Sequence, residues 1–234
     1  MTEARITLVT GANKGLGLQT ARSLVAAGHT VYVGARDARR GREAALAIGA
    51  RPLLLDVTSD ESVAAAAAVV KQEAGHLDVL VNNAGVGGVP RGAEEIPAAD
   101  LLAVYDTNVF GVVRVMHAFL PLLLAGKDPV VVNVSSGMGS LAVTNDPDRF
   151  ESSVVLPVYT SSKAALNMLT SQYAKALPGI RINAVDPGFT ATDINGHQGT
   201  QTVEEGAEII VRMAAAVNDV TTGGFFDSRG VVPW

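Results

Sequence analysis

Short runs of Val, Ile and Leu alternate with helix-like segments along nearly the whole chain, and that pattern leaves few folds open. Residues 6–9 are apolar and stop at Gly11; residues 15–27 read as a helix closed by Gly28. Further apolar runs lie at 30–33, 53–57, 77–81, 130–134 and 180–185, with a last candidate at 224–226. Thr58-Ser-Asp-Glu61 has capping-box spacing and opens an Ala/Val-rich helix that runs to Gly75. Residues 100–124, 159–177 and 203–217 carry the other long helical patterns. Strands apolar on both faces that alternate with helices predict an α/β fold, a doubly wound parallel sheet with helices on both sides. No linker-like stretch or repeat divides the chain, so residues 1–234 read as one domain. Residues 137–157 and 189–202 show no clear pattern, and loops that long inside a compact domain are usually functional or mobile.

Composition removes several classes of function. At 48% hydrophobic and 18% charged, the chain is not a disordered one. A net charge of −5 argues against binding nucleic acid through a broad basic face. The absence of cysteine excludes disulfides, a thiol nucleophile, zinc ribbons and iron–sulfur clusters, and makes a cytoplasmic setting the plain expectation. His29, His76, His117 and His197 are scattered, without metal-ligand spacing, so no metal is expected. The longest apolar stretch, 112–125, is interrupted by Arg114, His117 and Pro121 and reads as too short for a membrane span. Glu3 and Arg5 precede only a short apolar run, which does not read as a secretory signal.

Thr10-Gly-Ala-Asn-Lys-Gly-Leu-Gly17 joins the first strand to the first helix. Glycines there let backbone approach a pyrophosphate, and the free N–H groups of a helix start favour an anion. Any glycine-rich turn shares this composition, but the position within a βαβ unit points to a dinucleotide. The end of the second strand then meets the adenosine ribose, where an acid selects NAD and an arginine accommodates the 2′-phosphate of NADP. Arg36 and Asp37 both lie about 20 residues beyond Gly17, so the two readings compete. Arg36 comes first after the strand and Lys14 adds a second cation, which together favour NADP.

Tyr159-Thr-Ser-Ser-Lys163 places a phenol and an ammonium on one helix face. A free phenol has a pKa of about 10, too high for proton transfer at neutral pH. A lysine ammonium ~6 Å away, at an effective dielectric of ~20, supplies nearly 3 kcal/mol toward lowering it. An oxidised, positively charged nicotinamide would supply part of the rest, so Tyr159 becomes a candidate general acid. Ser135-Ser136 and Asn82-Asn-Ala-Gly85 end two other strand candidates, at the rim where open α/β sheets bind ligands. A serine hydroxyl there can orient a carbonyl oxygen. Each of these motifs is common by itself.

Taken in order, residues 10–17, Asp56-Val57, 82–85, Asn108, Val132-Asn-Val-Ser-Ser136, 159–163 and Pro187-Gly188 resemble the short-chain dehydrogenase/reductase family. Within it the chain is most similar to the NADPH-dependent carbonyl reductases, which share the Asn13-Lys14 pair, Ala35-Arg-Asp37 and a terminal Trp234. The resemblance implies a single-domain Rossmann fold with a sheet of about seven parallel strands, NADP(H) as cofactor, and reduction of ketones or aldehydes to alcohols. It implies Tyr159 as proton donor, Lys163 as the group that lowers its pKa and holds the nicotinamide ribose, and Ser136 as the residue that orients the carbonyl. Asn108 would hold a water linking Lys163 to solvent. Gly11, Asn13, Lys14, Gly15, Leu16, Gly17 and Arg36 would face the cofactor, with Asp56 and Val57 at the adenine and Asn83, Ala84 and Gly85 on the adenosine side. Pro187, Gly188, Thr190 and Thr192 would meet the nicotinamide end. An alcohol or hydroxysteroid dehydrogenase working oxidatively stays open as an alternative. So does a non-catalytic dinucleotide sensor, although sensors usually lose the Tyr or the Lys. One departure stands out: Ser136 and Tyr159 are further apart than in most of the family, so 137–157 reads as an inserted loop and 189–202 as a substrate-side loop. Animal carbonyl reductases carry a longer insert and are monomers. A monomer is therefore expected over a homodimer or homotetramer, with a small-molecule carbonyl or alcohol as partner and no nucleic acid or membrane.

Overall fold

In the computed structural model, which describes residues 4–217 and 219–234, eight strands form one sheet in the order β3-β2-β1-β4-β5-β6-β7-β8. Glu3, which entered the reading of the N-terminus, lies outside the described residues. The strands are β1 (Ile6–Thr10), β2 (Thr30–Ala35), β3 (Arg51–Leu54), β4 (Val79–Asn82), β5 (Val130–Val134), β6 (Arg181–Val185), β7 (Phe225–Asp227) and β8 (Gly230–Val231). Strands β1 to β7 pair in parallel, as expected; β8 is a two-residue antiparallel return, too short to leave a pattern in the sequence. The strand order reverses between β1 and β4, which opens a crevice at their carboxyl ends.

Alternate residues of the strands feed two cores. Leu8, Leu80, Val131 and Ile182 pack against α3 (Asp60–Glu73), α5 (Gly111–Leu124) and α7 (Pro157–Ala176). Val9, Val81, Val132 and Val185 face α1 (Gly15–Ala26), α2 (Ala38–Ile48) and α8 (Val203–Ala215). Every residue of β5 is buried: its valines feed both cores, and Asn133 is satisfied by side-chain hydrogen bonds with Asn82 and Thr170 at 2.8 Å each.

Several boundaries differ from the sequence reading. β3 occupies Arg51–Leu54 rather than 53–57, because its partner β2 ends at Ala35, opposite Leu54. Pro52 is tolerated there because β3 is the edge strand. Helix α3 is capped by Ser59, whose hydroxyl accepts from the Ser62 N–H at 3.2 Å. Thr58 instead donates its hydroxyl to Asp56 at 2.7 Å, so the capping-box spacing at 58–61 is not used. Helix α2 was not assigned from sequence, since its exposed Arg39, Arg40, Arg42 and Glu43 leave only a narrow apolar stripe.

The long central helix runs from α4 (Ala98–Tyr105) through a π turn at Asp106–Phe110 into α5. Contrary to the reading of 112–125, this 27-residue helix is long and apolar enough to cross a membrane. Half of its most apolar stretch is buried inside the fold, so its composition is accounted for by the core. The segment 137–157 contains 3₁₀ turns at Gly137–Gly139 and Phe150–Ser153 and a short α6 (Leu141–Thr144), pieces too short for a helical period to show.

Candidate active site

A cavity of about 1070 Å³ opens at the carboxyl ends of the strands. Every expected cofactor and catalytic position except Asn108 lines it. That volume exceeds most small-ligand pockets and suits a dinucleotide with a substrate beside it.

The glycine loop forms one end. Gly11 has φ +63°, and a Cβ there would lie 2.9 Å from the Ala84 backbone. Gly17 is equally confined, with the Asn83 amide nitrogen 2.4 Å from where its Cβ would sit. Asn83 donates to Thr10 O at 2.9 Å, while the Thr10 hydroxyl accepts from the N–H groups of Asn83 and Ala84 at 3.0 Å each. The ends of β1 and β4 are thereby locked together beneath the cavity. Helix α1 begins with no side-chain cap and no acid in its first turn, leaving its N-terminal N–H groups and partial positive charge to an anion. A pyrophosphate fits this loop.

At the ribose end, Arg36 is exposed and lines the cavity. Asp37 is instead the N-cap of α2, accepting from the Arg40 N–H at 2.9 Å, and is not among the lining residues. The Thr58 backbone amide is the main cause that holds the Asp56 carboxyl below its ordinary value; Arg36 and Arg114 add to it. Lys14 departs from its expected place beside Arg36. It reaches across to Asp193 in segment 189–202, whose carboxyl is held low chiefly by that contact.

At the other end, Pro157 starts α7 and brings Tyr159 and Lys163 under the cavity. Lys163 Nζ lies 5.7 Å from the centre of the Tyr159 ring and donates to Val134 O at 2.8 Å. The Ser136 side chain lies beside the phenol, near enough to lower its pKa. Burial pushes Tyr159 up to about 12, opposed by the Ser136 side chain. Burial likewise lowers Lys163 to about 8, opposed by the Asp186 charge. The expected lowering of the phenol by Lys163 is not a property of the chain alone: burial dominates, the Asp186 charge adds to it, and only the Ser136 side chain opposes it.

Asn108 sits in the π turn, just behind the cavity wall. Its Oδ1 accepts from the Val86 N–H at 2.9 Å, and its Nδ2 donates to Val86 O and Ser162 Oγ at 3.0 Å each. Its side chain thus pins the strand-β4 loop to α7. Gly85 lies between Asn108 and Lys163; a Cβ there would be 3.4 Å from Asn108 Oδ1 and 3.7 Å from Lys163 Nζ. Gly188, at φ +75°, donates its N–H to Asp186 Oδ1 at 3.0 Å. Thr190 is buried and donates to Pro187 O at 3.2 Å, while the Thr192 N–H donates to Asn195 Oδ1 at 3.1 Å.

The sequence reading missed Asp186, a buried carboxylate in the cavity wall. It takes N–H bonds from both Gly137 and Gly188, joining the serine turn to the loop after β6. Burial is the main cause that raises its pKa, with Glu151 and Asp227 adding to it. The signal was an acid ending an apolar strand immediately before Pro187-Gly188. Also missed was the apolar rim, where Phe150 of the insert and Phe189 approach with ring centres 5.8 Å apart. Among the described residues, no group of three His, Asp or Glu is placed to hold a metal ion.

A nucleotide cradle at a topological switch point, facing a Ser–Tyr–Lys group across one cavity, defines an oxidoreductase of the dinucleotide-binding class. The short chain dehydrogenase family model matches residues 5–203, and the chain belongs to the short-chain dehydrogenase/reductase family. It is 39% identical over 226 residues to short-chain dehydrogenase anuI of Penicillium roqueforti, covering 89% of this chain and 88% of that one. It is 34% identical over 284 residues to a (+)-neomenthol dehydrogenase of Arabidopsis thaliana, covering 96% of each. Among solved structures, the NADPH-bound carbonyl reductase from chicken fatty liver superposes with a TM-score of 0.86 at 28% identity, over 99% of this chain and all of that one.

Proposed function

We propose that this oxidoreductase reduces ketones or aldehydes to alcohols with NADPH. The observation that carries the proposal is the grouping of Ser136, Tyr159 and Lys163 at one end of a cavity whose other end is the glycine loop. Bound along that cavity, a nicotinamide cofactor supplies the hydride. The chain's own residues do the rest. Ser136 donates a hydrogen bond that holds the carbonyl oxygen beside the phenol. Tyr159, protonated at neutral pH, delivers its proton to that oxygen as the alcohol forms, and the charges gathered at the loaded site must offset the burial that raises its pKa. The phenolate left behind faces the Lys163 ammonium; at about 6 Å and an effective dielectric of ~20 this attraction is close to 3 kcal/mol.

Arg36 on the cavity wall, with Asp37 occupied as a helix cap, supports NADPH over NADH. The NADPH in the chicken carbonyl reductase supports the same choice. The rim of Phe150, Leu156, Phe189 and Ile194 is apolar and exposed, which suits a carbonyl carried on an apolar body. A panel of ketones and aldehydes, followed by cofactor absorbance with NADPH and with NADH, tests the proposal. Oxidation of NADPH by at least one apolar carbonyl is expected. Turnover only of alcohols with the oxidised cofactor would reverse the direction, and nucleotide binding without any turnover would leave a sensor.

A further inference from the structure

Helix α7 carries a third polar residue on its catalytic face. Asn167 follows Lys163 by four positions and Tyr159 by eight, so all three side chains point the same way. Asn167 is 4% exposed and fully engaged. Its Oδ1 accepts from Ser135 Oγ at 2.6 Å, and its Nδ2 donates to Gly139 O at 3.1 Å. Those two partners stand on either side of Ser136-Gly-Met138, so one amide spans the turn that carries the serine. The amide orientation is forced, because Gly139 O can only accept. The turn is also pressed onto the helix: a Cβ at Gly139 would lie 2.7 Å from the Lys163 carbonyl carbon. Within the turn, Ser136 Oγ accepts from the Met138 N–H at 3.2 Å, which orients the hydroxyl relative to the clamped backbone.

We propose that Asn167 is a positioning residue that locks the Ser136 turn onto the helix bearing Tyr159 and Lys163, so that hydroxyl, phenol and ammonium move as one body. The role needs a donor and an acceptor on opposite sides of a short planar group. Leucine offers neither, aspartate cannot donate to Gly139 O, and glutamine is a methylene too long. Without the amide, the Ser135 hydroxyl and Gly139 carbonyl lose their buried partner and the turn must shift to find another. Displacement of a reacting group by about 1 Å can cost 10²-fold in rate.

The inference rests on the reading of Ser136 as the residue that orients the carbonyl, and a double-mutant cycle tests it through that residue. Asn167→Ala should lower kcat by about 10- to 100-fold in the otherwise intact chain. In a Ser136→Ala background the same change should cost less than about twofold, because nothing remains to position. The Kd for NADPH, followed by nucleotide fluorescence, should stay the same in both. Equal losses in the two backgrounds, or no loss in the first, overturn the proposal. Ser135→Ala removes a single hydroxyl from the same clamp and should repeat the pattern in weaker form if Asn167→Ala does not fold. Hydrogen exchange in the cofactor-free protein is independent of the reaction. The amides of residues 136–140 should exchange faster in Asn167→Ala even if no carbonyl is reduced, and unchanged exchange there overturns the clamp by itself.

Discussion

Replacing Lys163 with methionine should abolish turnover and stabilise the fold. The side chain is 5% exposed, and burial takes its pKa from 10.5 to about 8. At about 1.4 kcal/mol for each tenfold in proton affinity, carrying this ammonium into the folded state costs roughly 3 kcal/mol. Methionine has nearly the same length and no charge, but it leaves Val134 O without its partner, a loss of about 1 kcal/mol. The net gain is about 2 kcal/mol at pH 7, or about 4–8 °C in Tm for a chain of this size. The sign depends on pH in a defined way. Below pH 8 both folded and unfolded lysine are charged, and the cost is present in full. Between pH 8 and 10.5 the folded state has released its proton while the unfolded state still holds it, so the original protein gains stability as pH rises. Urea denaturation at pH 7 and pH 10 reads the difference. At pH 10 the methionine variant should be no more stable than its parent. A variant less stable at pH 7, or equally stabilised at both pH values, would refute the reasoning. Tyr159 titrates in both proteins and cancels in the comparison.

Tyr159→Phe should retain NADPH affinity and lose at least ~10² in kcat, the lower range for a general acid, as steady-state kinetics on a good substrate will show. A preference of about 10- to 100-fold in kcat/KM for NADPH over NADH is expected from one charge-assisted contact to Arg36, and Arg36→Asp should reverse it; equal values in the parent protein would count decisively against the assignment. Light scattering behind size-exclusion chromatography at micromolar concentration should give a mass near the 24.1 kDa of one chain, whereas a mass four times larger would remove the insert as a block to assembly.

The layout of the sheet was legible because its signals are local and redundant. β5 is four valines and Asn133, all buried, and so short a β-branched run between helical patterns reads as a central strand. The glycine loop was legible for a similar reason, since few sequences other than a nucleotide loop follow the first strand with three closely spaced glycines. What stayed hidden depends on distant partners. Whether Arg36 or Asp37 faces the cavity is decided by which of them caps α2, a bond to Arg40 that competes with any ligand. The true cap of α3 is Ser59 because Thr58 is drawn away by Asp56. Lys14 left its expected place because its acid, Asp193, is 179 positions away. Desolvation of Tyr159 depends on how completely its surroundings close, and no spacing of letters states that.

The contact between Lys14 and Asp193 joins the glycine loop to segment 189–202 across the cavity, and both side chains are more than half exposed. Water competes for each partner, so the pair holds the two loops together only weakly. Neither Lys14 nor Asp193 belongs to a core cluster, so the two loops can part there without loss of core packing. A deeply buried pair at the same place would tie the two loops together far more firmly.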